Sequence, residues 1–275
     1  IWKITNKIVA PYPKIFIEVP VKIKDYDQIQ IVFTRIGCNK QKIATSFGYV
    51  FGMMLSDAGK NFCARSASLV LGLSKVYDWS FDVGDSFCYY LQNLRILARR
   101  IKDQKGTPND QYRWSSEYSP LIVWLFRSGL GLKKGETTIY NAVRCKWILK
   151  APRSFRKAFI QGLYDGDGSA NAGWTCEVTS LSNKKFILRL LRTFDIRGRV
   201  WNTKNVVINL KEDLIKALRI PIFKHASGRL KKLKEIHAMI QKTRHKGFNT
   251  KDPQIRGRIA SLKNRGYMNS EISKI

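Results

Sequence analysis

Two stretches of the chain share one pattern, in which an apolar body carries small residues spaced four apart. The stretches read YVFGMMLSDAGK at residues 49–60 and FIQGLYDGDGSA at residues 159–170. Counted from the residue directly before each stretch, the small residues are Gly48, Gly52 and Ser56 for the first, and Ala158, Gly162 and Gly166 for the second. Residues four apart lie on one face of an α-helix, and small ones let two helix backbones approach closely. The pattern therefore predicts two helices that pack on each other.

An aspartate follows the last small residue of each stretch, Asp57 in the first and Asp167 in the second. A carboxylate at a helix C-terminus meets the negative end of the helix dipole, which costs up to about 1 kcal/mol. If the helices pack in parallel, both carboxylates emerge side by side and repel unless a cation lies between them. One such aspartate alone would indicate a solvated helix end. The repeated pair indicates a metal site.

The elements after each stretch are also repeated. Strand-like residues 66–73, a helix near 85–97, strand-like 111–118 and a helix near 120–128 follow the first stretch. Strand-like residues 173–180, a helix at 182–193, strand-like 198–201 and 206–210 and a helix at 211–219 follow the second. The strands alternate, so that one face suits a core and the other carries polar groups. This order predicts two pseudo-twofold-related halves in one chain.

The charge balance indicates a polyanionic partner. The chain has 50 Lys and Arg against 20 Asp and Glu, a net charge of +30, which is far more than solubility requires and favours nucleic acid. The longest apolar runs, 47–55 and 121–126, are too short to span a bilayer. No secretory signal pattern opens the chain, so we expect an intracellular protein that is not secreted. Five scattered cysteines and three late histidines disfavour a disulfide framework, a zinc ribbon and a His-based nuclease centre.

The two stretches carry a family resemblance. GLYDGDG at residues 162–168 resembles the second motif of a two-motif LAGLIDADG homing endonuclease, and GMMLSDA at 52–58 resembles the first. In the first motif, Leu55 replaces the usual inner acid and Ala58 the usual final glycine. The resemblance covers about residues 46–239. It implies an α+β fold of two αββαββα halves, related by a pseudo-twofold axis, with saddle-shaped DNA-binding sheets.

The resemblance also implies an activity. A protein of this family is a monomeric homing endonuclease that cuts both strands of a long, imperfectly palindromic DNA site and leaves short 3′ overhangs. Asp57 and Asp167 would bind Mg²⁺, or another divalent metal such as Mn²⁺, with the backbone carbonyls of Ser56 and Gly166 as further ligands. The host element, whether intron, intein or free-standing gene, stays open.

Basic residues around the metals are implied as well, to orient water and stabilise charge. The candidates are Lys134 in the first half and Lys224 or Arg229 in the second, with a plain phosphate contact as the alternative for each. Candidates for reading DNA come from the polar strand faces and hairpins. They are Arg65, Arg113, Glu117, Thr175, Glu177, Arg199, Asn202 and Lys204.

These observations divide the chain into an N-terminal extension (1–42), a first half (43–150), a second half (151–246) and a basic C-terminal tail (247–275). In the extension, residues 15–21 and 30–33 are strand-like. In the tail, residues 255–275 resemble the first two helices of a helix-turn-helix, with a phosphate-binding basic segment as the alternative.

A second function on the same scaffold stays open, either a maturase that assists splicing of intron RNA or a DNA-binding regulator without cleavage. The intact pair Asp57 and Asp167 favours cleavage, because a pure binder has no need of two acids at an unfavourable helix end.

Overall fold

The structure is a computed structural model that describes residues 7–9, 16–63, 65–106, 110–171, 175–242 and 261. The chain forms two compact units, Ile1–His237 and Ala238–Ile275. Most of the second unit lies outside the described residues, and so does the helix-turn-helix predicted at 255–275, apart from residue 261. Among the helices that are described, none is both long and apolar enough to cross a membrane.

The N-terminal segment contains a two-stranded antiparallel pair, β1 (Lys7–Val9) and β2 (Phe16–Glu18), and helix α1 (Tyr26–Arg35). The side chain of Asp25 caps α1 by accepting a hydrogen bond from the backbone N–H of Gln28. The prediction of a strand at 30–33 is therefore wrong. Ile29, Val32, Phe33 and Ile36 are all buried and recur at helical spacing, so burial of one helix face decides the conformation.

This segment is attached to the first half by two side chains that donate hydrogen bonds to its backbone. The indole Nε1 of Trp124 donates to the carbonyl of Pro20 at 2.8 Å. The hydroxyl of Ser128 donates to the carbonyl of Val21 at 2.6 Å. Trp124 is itself fully buried, so the segment completes the core of the first half.

The first half consists of a helix, two strands, a helix, two strands and a last helix. The last helix continues into a π-helical turn, Leu125–Gly129. The elements of the first half are α2 (Lys40–Leu55), β3 (Ala58–Cys63), β4 (Ser66–Ser74), α3 (Ser80–Asn93), β5 (Ala98–Gln104), β6 (Gln111–Ser116) and α4 (Pro120–Trp124). The strands form an antiparallel sheet in the order β3-β4-β6-β5.

The second half repeats this order after a 3₁₀ turn, Lys146–Lys150. Its elements are α5 (Arg153–Asp167), β7 (Gly168–Asn171), β8 (Thr175–Thr179), α6 (Lys184–Arg192), β9 (Arg199–Trp201), β10 (Asn205–Ile208) and α7 (Lys211–Arg219), followed by α8 (Ser227–Lys242). The sheet order β7-β8-β10-β9 matches that of the first half position for position. The predicted pair of αββαββα halves is confirmed.

The core has two parts, the helix pair and the inner faces of the sheets. Aromatic rings of Phe47, Phe51, Trp147, Phe155 and Phe159 pack around the helix pair with centroid distances of 4.3–6.5 Å. In the sheets, Trp114 and Cys176 are fully buried, whereas their neighbours along the strands are only half-buried. The predicted alternation of buried and polar faces is confirmed.

Candidate active site between the two motif helices

Helices α2 and α5 pack in parallel with their backbones in contact. A Cβ atom placed on Gly52 would lie 2.2 Å from the carbonyl oxygen of Phe159, and one on Gly162 would lie 2.2 Å from that of Tyr49. A Cβ on Gly166 would lie 2.3 Å from Oγ of Ser56, at the C-terminal end of both helices. Any side chain at these glycines would force the helices apart. The predicted packing of the two small-residue faces is confirmed.

This packing brings Asp57 and Asp167 together. Asp57 follows the C-cap of α2, Ser56, and Asp167 is the last residue of α5. Their carboxyl groups lie close enough for each to influence the pKa of the other. Asp57 is exposed and Asp167 half-buried, which leaves the pair accessible to a ligand from solution.

The surroundings raise the pKa of both carboxyls. Desolvation is the larger cause for each, and the neighbouring charge of Asp57 further raises the pKa of Asp167. A cation that bound between the two carboxylates would offset their mutual repulsion.

Arg229 supplies a positive charge at the same place. Its Nη1 donates to the carbonyls of Tyr164, Asp165 and Gly166 at 3.1, 2.6 and 2.6 Å, so it satisfies the open C-terminal turn of α5. The guanidinium also interacts electrostatically with both Asp57 and Asp167. The carbonyl of Gly166, a predicted metal ligand, is thus already a hydrogen-bond acceptor.

Trp79 of the first half also contacts Arg229. The guanidinium carbon of Arg229 lies 6.0 Å from the ring centroid of Trp79. The neighbouring Gly228 packs against the same indole so closely that a Cβ would lie 2.3 Å from a ring carbon. Arg229 therefore bridges the two halves at the acidic pair.

The two lysines suggested by the sequence lie elsewhere. The Nζ of Lys224 donates to the hydroxyl of Tyr90 at 2.5 Å, and its side chain is exposed. Lys134 is exposed in the segment after the π-helical turn and, among the described residues, contacts neither acid. Of the three basic candidates, the structure brings Arg229 alone to the pair, and the roles of the other two stay predictions.

Asp165, two residues before Asp167, has a separate task. It is buried, and its carboxylate accepts hydrogen bonds from the backbone N–H groups of Lys224, His225 and Ala226 and from the hydroxyl of Tyr49, at 2.9–3.2 Å. Burial raises the pKa of Asp165 to about 6, and these hydrogen bonds oppose the rise. The carboxylate fixes the segment that leads into α8, one turn before Arg229.

Sequence reasoning missed this role, although a signal was present. Gln161 lies one helical turn before Asp165 and its Nε2 donates to the carbonyls of Ile220 and Pro221 at 3.0 and 3.1 Å. Two polar residues four apart within the apolar stretch 158–166 of this helix indicate a polar partner along that face. They explain why the second motif carries two aspartates, of which Asp165 is structural and Asp167 is available to a ligand.

Asp165→Ala should lower the free energy of unfolding by about 3 kcal/mol, because it leaves three N–H groups and a buried hydroxyl without their acceptor. Urea denaturation would measure the change. Asp78→Ala is the control, since Asp78 is exposed and its loss should alter stability by about 0.5 kcal/mol or less. Equal small changes in both variants would contradict the structural role of Asp165.

The candidates for reading DNA lie along the polar faces and turns of the two sheets. In the first half, Arg113 lies in β6, Glu117 directly follows that strand, and Arg65 is exposed between β3 and β4. In the second half, Thr175 and Glu177 lie in β8 and Arg199 in β9. The turn between β9 and β10 exposes Asn202 and Lys204, with Asn202 in the left-handed region at φ 55°. Contact of these residues with DNA stays a prediction.

Two similar halves with an acidic pair at their junction define a fold class, and comparison with solved structures identifies it as the homing endonuclease fold. The homing endonuclease I-WcaI bound to its DNA recognition sequence superimposes with a TM-score of 0.51 at 9% identity, over 77% of this chain and 94% of that chain. At this identity the similarity shows the fold alone, and it confirms the fold implied by the two motifs.

Two structures of the homing endonuclease I-DmoI are also similar. A single-residue variant of I-DmoI with its target DNA and Mg has a TM-score of 0.48 at 15% identity, over 67% of this chain and 99% of that chain. I-DmoI with DNA and Mn has a TM-score of 0.45 at 14% identity, over 66% of this chain and 99% of that chain. No protein-family model and no curated protein sequence matches the chain.

Proposed function

We propose that the chain is a site-specific, metal-dependent endonuclease that hydrolyses both strands of double-stranded DNA. The observation that carries the proposal is the pairing of Asp57 and Asp167 at the C-termini of two parallel helices. Such a pair is electrostatically unfavourable without a cation, and a protein that needed only the fold would gain stability by losing it. The fold and the net charge of +30 are consistent with a nucleic-acid substrate.

The donor set fits a hard divalent cation such as Mg²⁺ or Mn²⁺. Among the described residues, no group of three or more His, Cys, Asp or Glu side chains could hold a metal ion. Mg²⁺ is commonly bound by one or two carboxylates, with water and substrate phosphates completing its shell. Asp57 and Asp167 would hold it, with the carbonyls of Ser56 and Gly166 as further candidates.

When bound, the cation polarises the scissile phosphate and lowers the pKa of the attacking water. The residues of the chain position the reaction. Asp57 and Asp167 fix one reaction centre for each strand, and the rigid helix contact sets the distance between them. Arg229 places a positive charge beside both, where the transition state gains negative charge. Lys224 and Lys134 serve as phosphate contacts at the margin of the site.

The substrate follows from the pseudo-symmetric architecture. Each half offers one sheet face to one half-site, so the target is long and imperfectly palindromic. Because both acids belong to one chain, a monomer is sufficient for a double-strand cut. Two cuts across the minor groove at neighbouring acids leave short 3′ overhangs. Such an enzyme acts where cellular DNA is, inside the cell.

The test is digestion of a randomised double-stranded DNA pool with Mg²⁺ or with EDTA, followed by sequencing of the new ends. We expect discrete cuts with 3′ overhangs in Mg²⁺ and none in EDTA. Tight binding without cuts would overturn the endonuclease and favour a regulator. Preferential binding of intron RNA over duplex DNA would favour a maturase.

A further inference from the structure

A carboxylate at the centre of the polar face of the second half's sheet accepts hydrogen bonds from neighbouring side chains. Glu177 lies in β8, half-buried. Its Oε1 accepts from Nδ2 of Asn171 at 2.5 Å and from the hydroxyl of Ser169 at 3.3 Å. Its Oε2 accepts from Nδ2 of Asn205 at 3.3 Å. Three donors from the two neighbouring strands thus converge on one side chain.

Sheet register explains the convergence. Ser169 in β7 pairs directly with Glu177, and Asn171 is two residues further along the same face. Asn205 in β10 pairs with Thr179, which is two residues after Glu177 in β8. Asn205 is therefore the diagonal neighbour of Glu177. All four lie on the polar face, while Cys176 and Val178 between them are buried.

The chemistry of a carboxylate fixes the orientation of both amides. A carboxylate only accepts hydrogen bonds, so each asparagine must turn its NH₂ group toward Glu177. The amide oxygen of Asn205 accepts from the hydroxyl of Thr179 at 3.2 Å. Within the described part of the chain, no donor reaches the amide oxygen of Asn171. With respect to the described residues, that oxygen is therefore an unused acceptor with a fixed orientation on the polar face.

We propose that Glu177 is a positioning residue for DNA recognition, which holds Asn171 so that its amide oxygen selects a base with an exocyclic amino group in the major groove. This rests on the proposed function. Adenine and cytosine present such an amino donor there, whereas guanine and thymine present the acceptors O6 and O4 at that place. Glu177 itself, predicted from sequence to read DNA directly, already accepts three hydrogen bonds from its neighbours, of the roughly four that a carboxylate can accept.

The position of the selected base follows from the strand. Asn171 is four residues after Asp167, which corresponds to about 13 Å in an extended strand. At about 3.4 Å per base pair, the contact lies roughly four base pairs from the acidic pair. One base pair in the half-site of the second half should therefore show a preference for adenine or cytosine on one strand.

The test is a binding selection from a randomised duplex pool in EDTA, so that cleavage plays no part. Wild type should prefer adenine or cytosine over guanine or thymine at one position. Asn171→Ala and Glu177→Ala should both reduce that preference, by about tenfold, at the same position. The double variant should be no worse there than Asn171→Ala alone, because Glu177 acts through Asn171.

One control variant and one substitute variant complete this test. Glu235→Ala makes the same charge change as Glu177→Ala, on the exposed face of α8, and should change overall affinity without changing the preference at that position. If Glu177→Ala does not fold, Glu177→Gln replaces it in the test. Glutamine keeps the size of the side chain but offers one acceptor oxygen to two asparagine amides, so this variant should still weaken the preference for adenine or cytosine at that position.

Three outcomes would overturn the proposal. A preference altered by Glu177→Ala at a different position from Asn171→Ala would make Glu177 a direct reader. An unchanged preference in both variants would remove the role of the network while leaving the proposed function intact. A wild-type protein that selects no sequence at all would overturn the proposed function, and this inference with it.

Discussion

Asp57→Asn and Asp167→Asn should each reduce double-strand cleavage by about 1,000-fold or more. Asparagine keeps the size of the side chain but removes the charge that, under the proposed function, holds a divalent cation, and such a cation supplies several kcal/mol of transition-state stabilisation. Duplex binding should change little, because the basic surface supplies most of the affinity. The measurement is plasmid linearisation in Mg²⁺ beside equilibrium binding of the same target in EDTA.

The same variants should be at least as stable as wild type, which separates a ligand-binding role from a structural one. The acids repel each other at two negative helix ends, so removal of one charge should raise the free energy of unfolding by up to about 1 kcal/mol. Asp78→Asn, at an exposed position, is the control for cleavage and stability. Loss of stability or of DNA binding in the Asp57 and Asp167 variants would contradict our assignment of the acidic pair.

The helix pair and its acids could be predicted from sequence because their pattern is local and occurs twice. Small residues at fixed spacing permit close approach of two helices, and the second copy of the pattern supplies the partner helix. The strands β3 and β7, which start directly after the acids, were missed. The segment GSAN of β7 lacks β-branched and aromatic residues and is a strand only because β8 pairs with it.

The surroundings of the acids could not be predicted because they depend on contacts distant in sequence. The sequence around Arg229 and Lys224 does not indicate which of these two residues lies beside the acidic pair. The hydrogen bonds of Asp165 to residues 224–226, 59 to 61 positions away, decide which side chain faces the acids. The Glu177 network likewise draws its members from three strands, so they could be identified as polar but not as partners.

Gly52→Ala and Gly162→Ala should each lower the free energy of unfolding by about 3 kcal/mol. The added methyl group would meet a backbone carbonyl of the partner helix at 2.2 Å in both cases, and backbone inside a packed helix cannot move aside cheaply. The helices must separate, which disturbs the aromatic cluster around Phe51 and Phe159 and moves Asp57 away from Asp167. We therefore expect thermal and urea unfolding to shift, and cleavage to fall further than stability alone would require.

The direction of this change distinguishes close packing from helix propensity. In a helix without tertiary contact, alanine is more favourable than glycine by about 1 kcal/mol, so propensity alone predicts a more stable protein. Gly59→Ala, in strand β3, is the control for an added methyl group where there is room for it, because it would meet its nearest neighbour, the carbonyl oxygen of Val70, at an ordinary 3.6 Å. If Gly52→Ala or Gly162→Ala unfolded at the same urea concentration as Gly59→Ala, the backbones of α2 and α5 would not be in contact, and the geometry that pairs the two acids would be wrong.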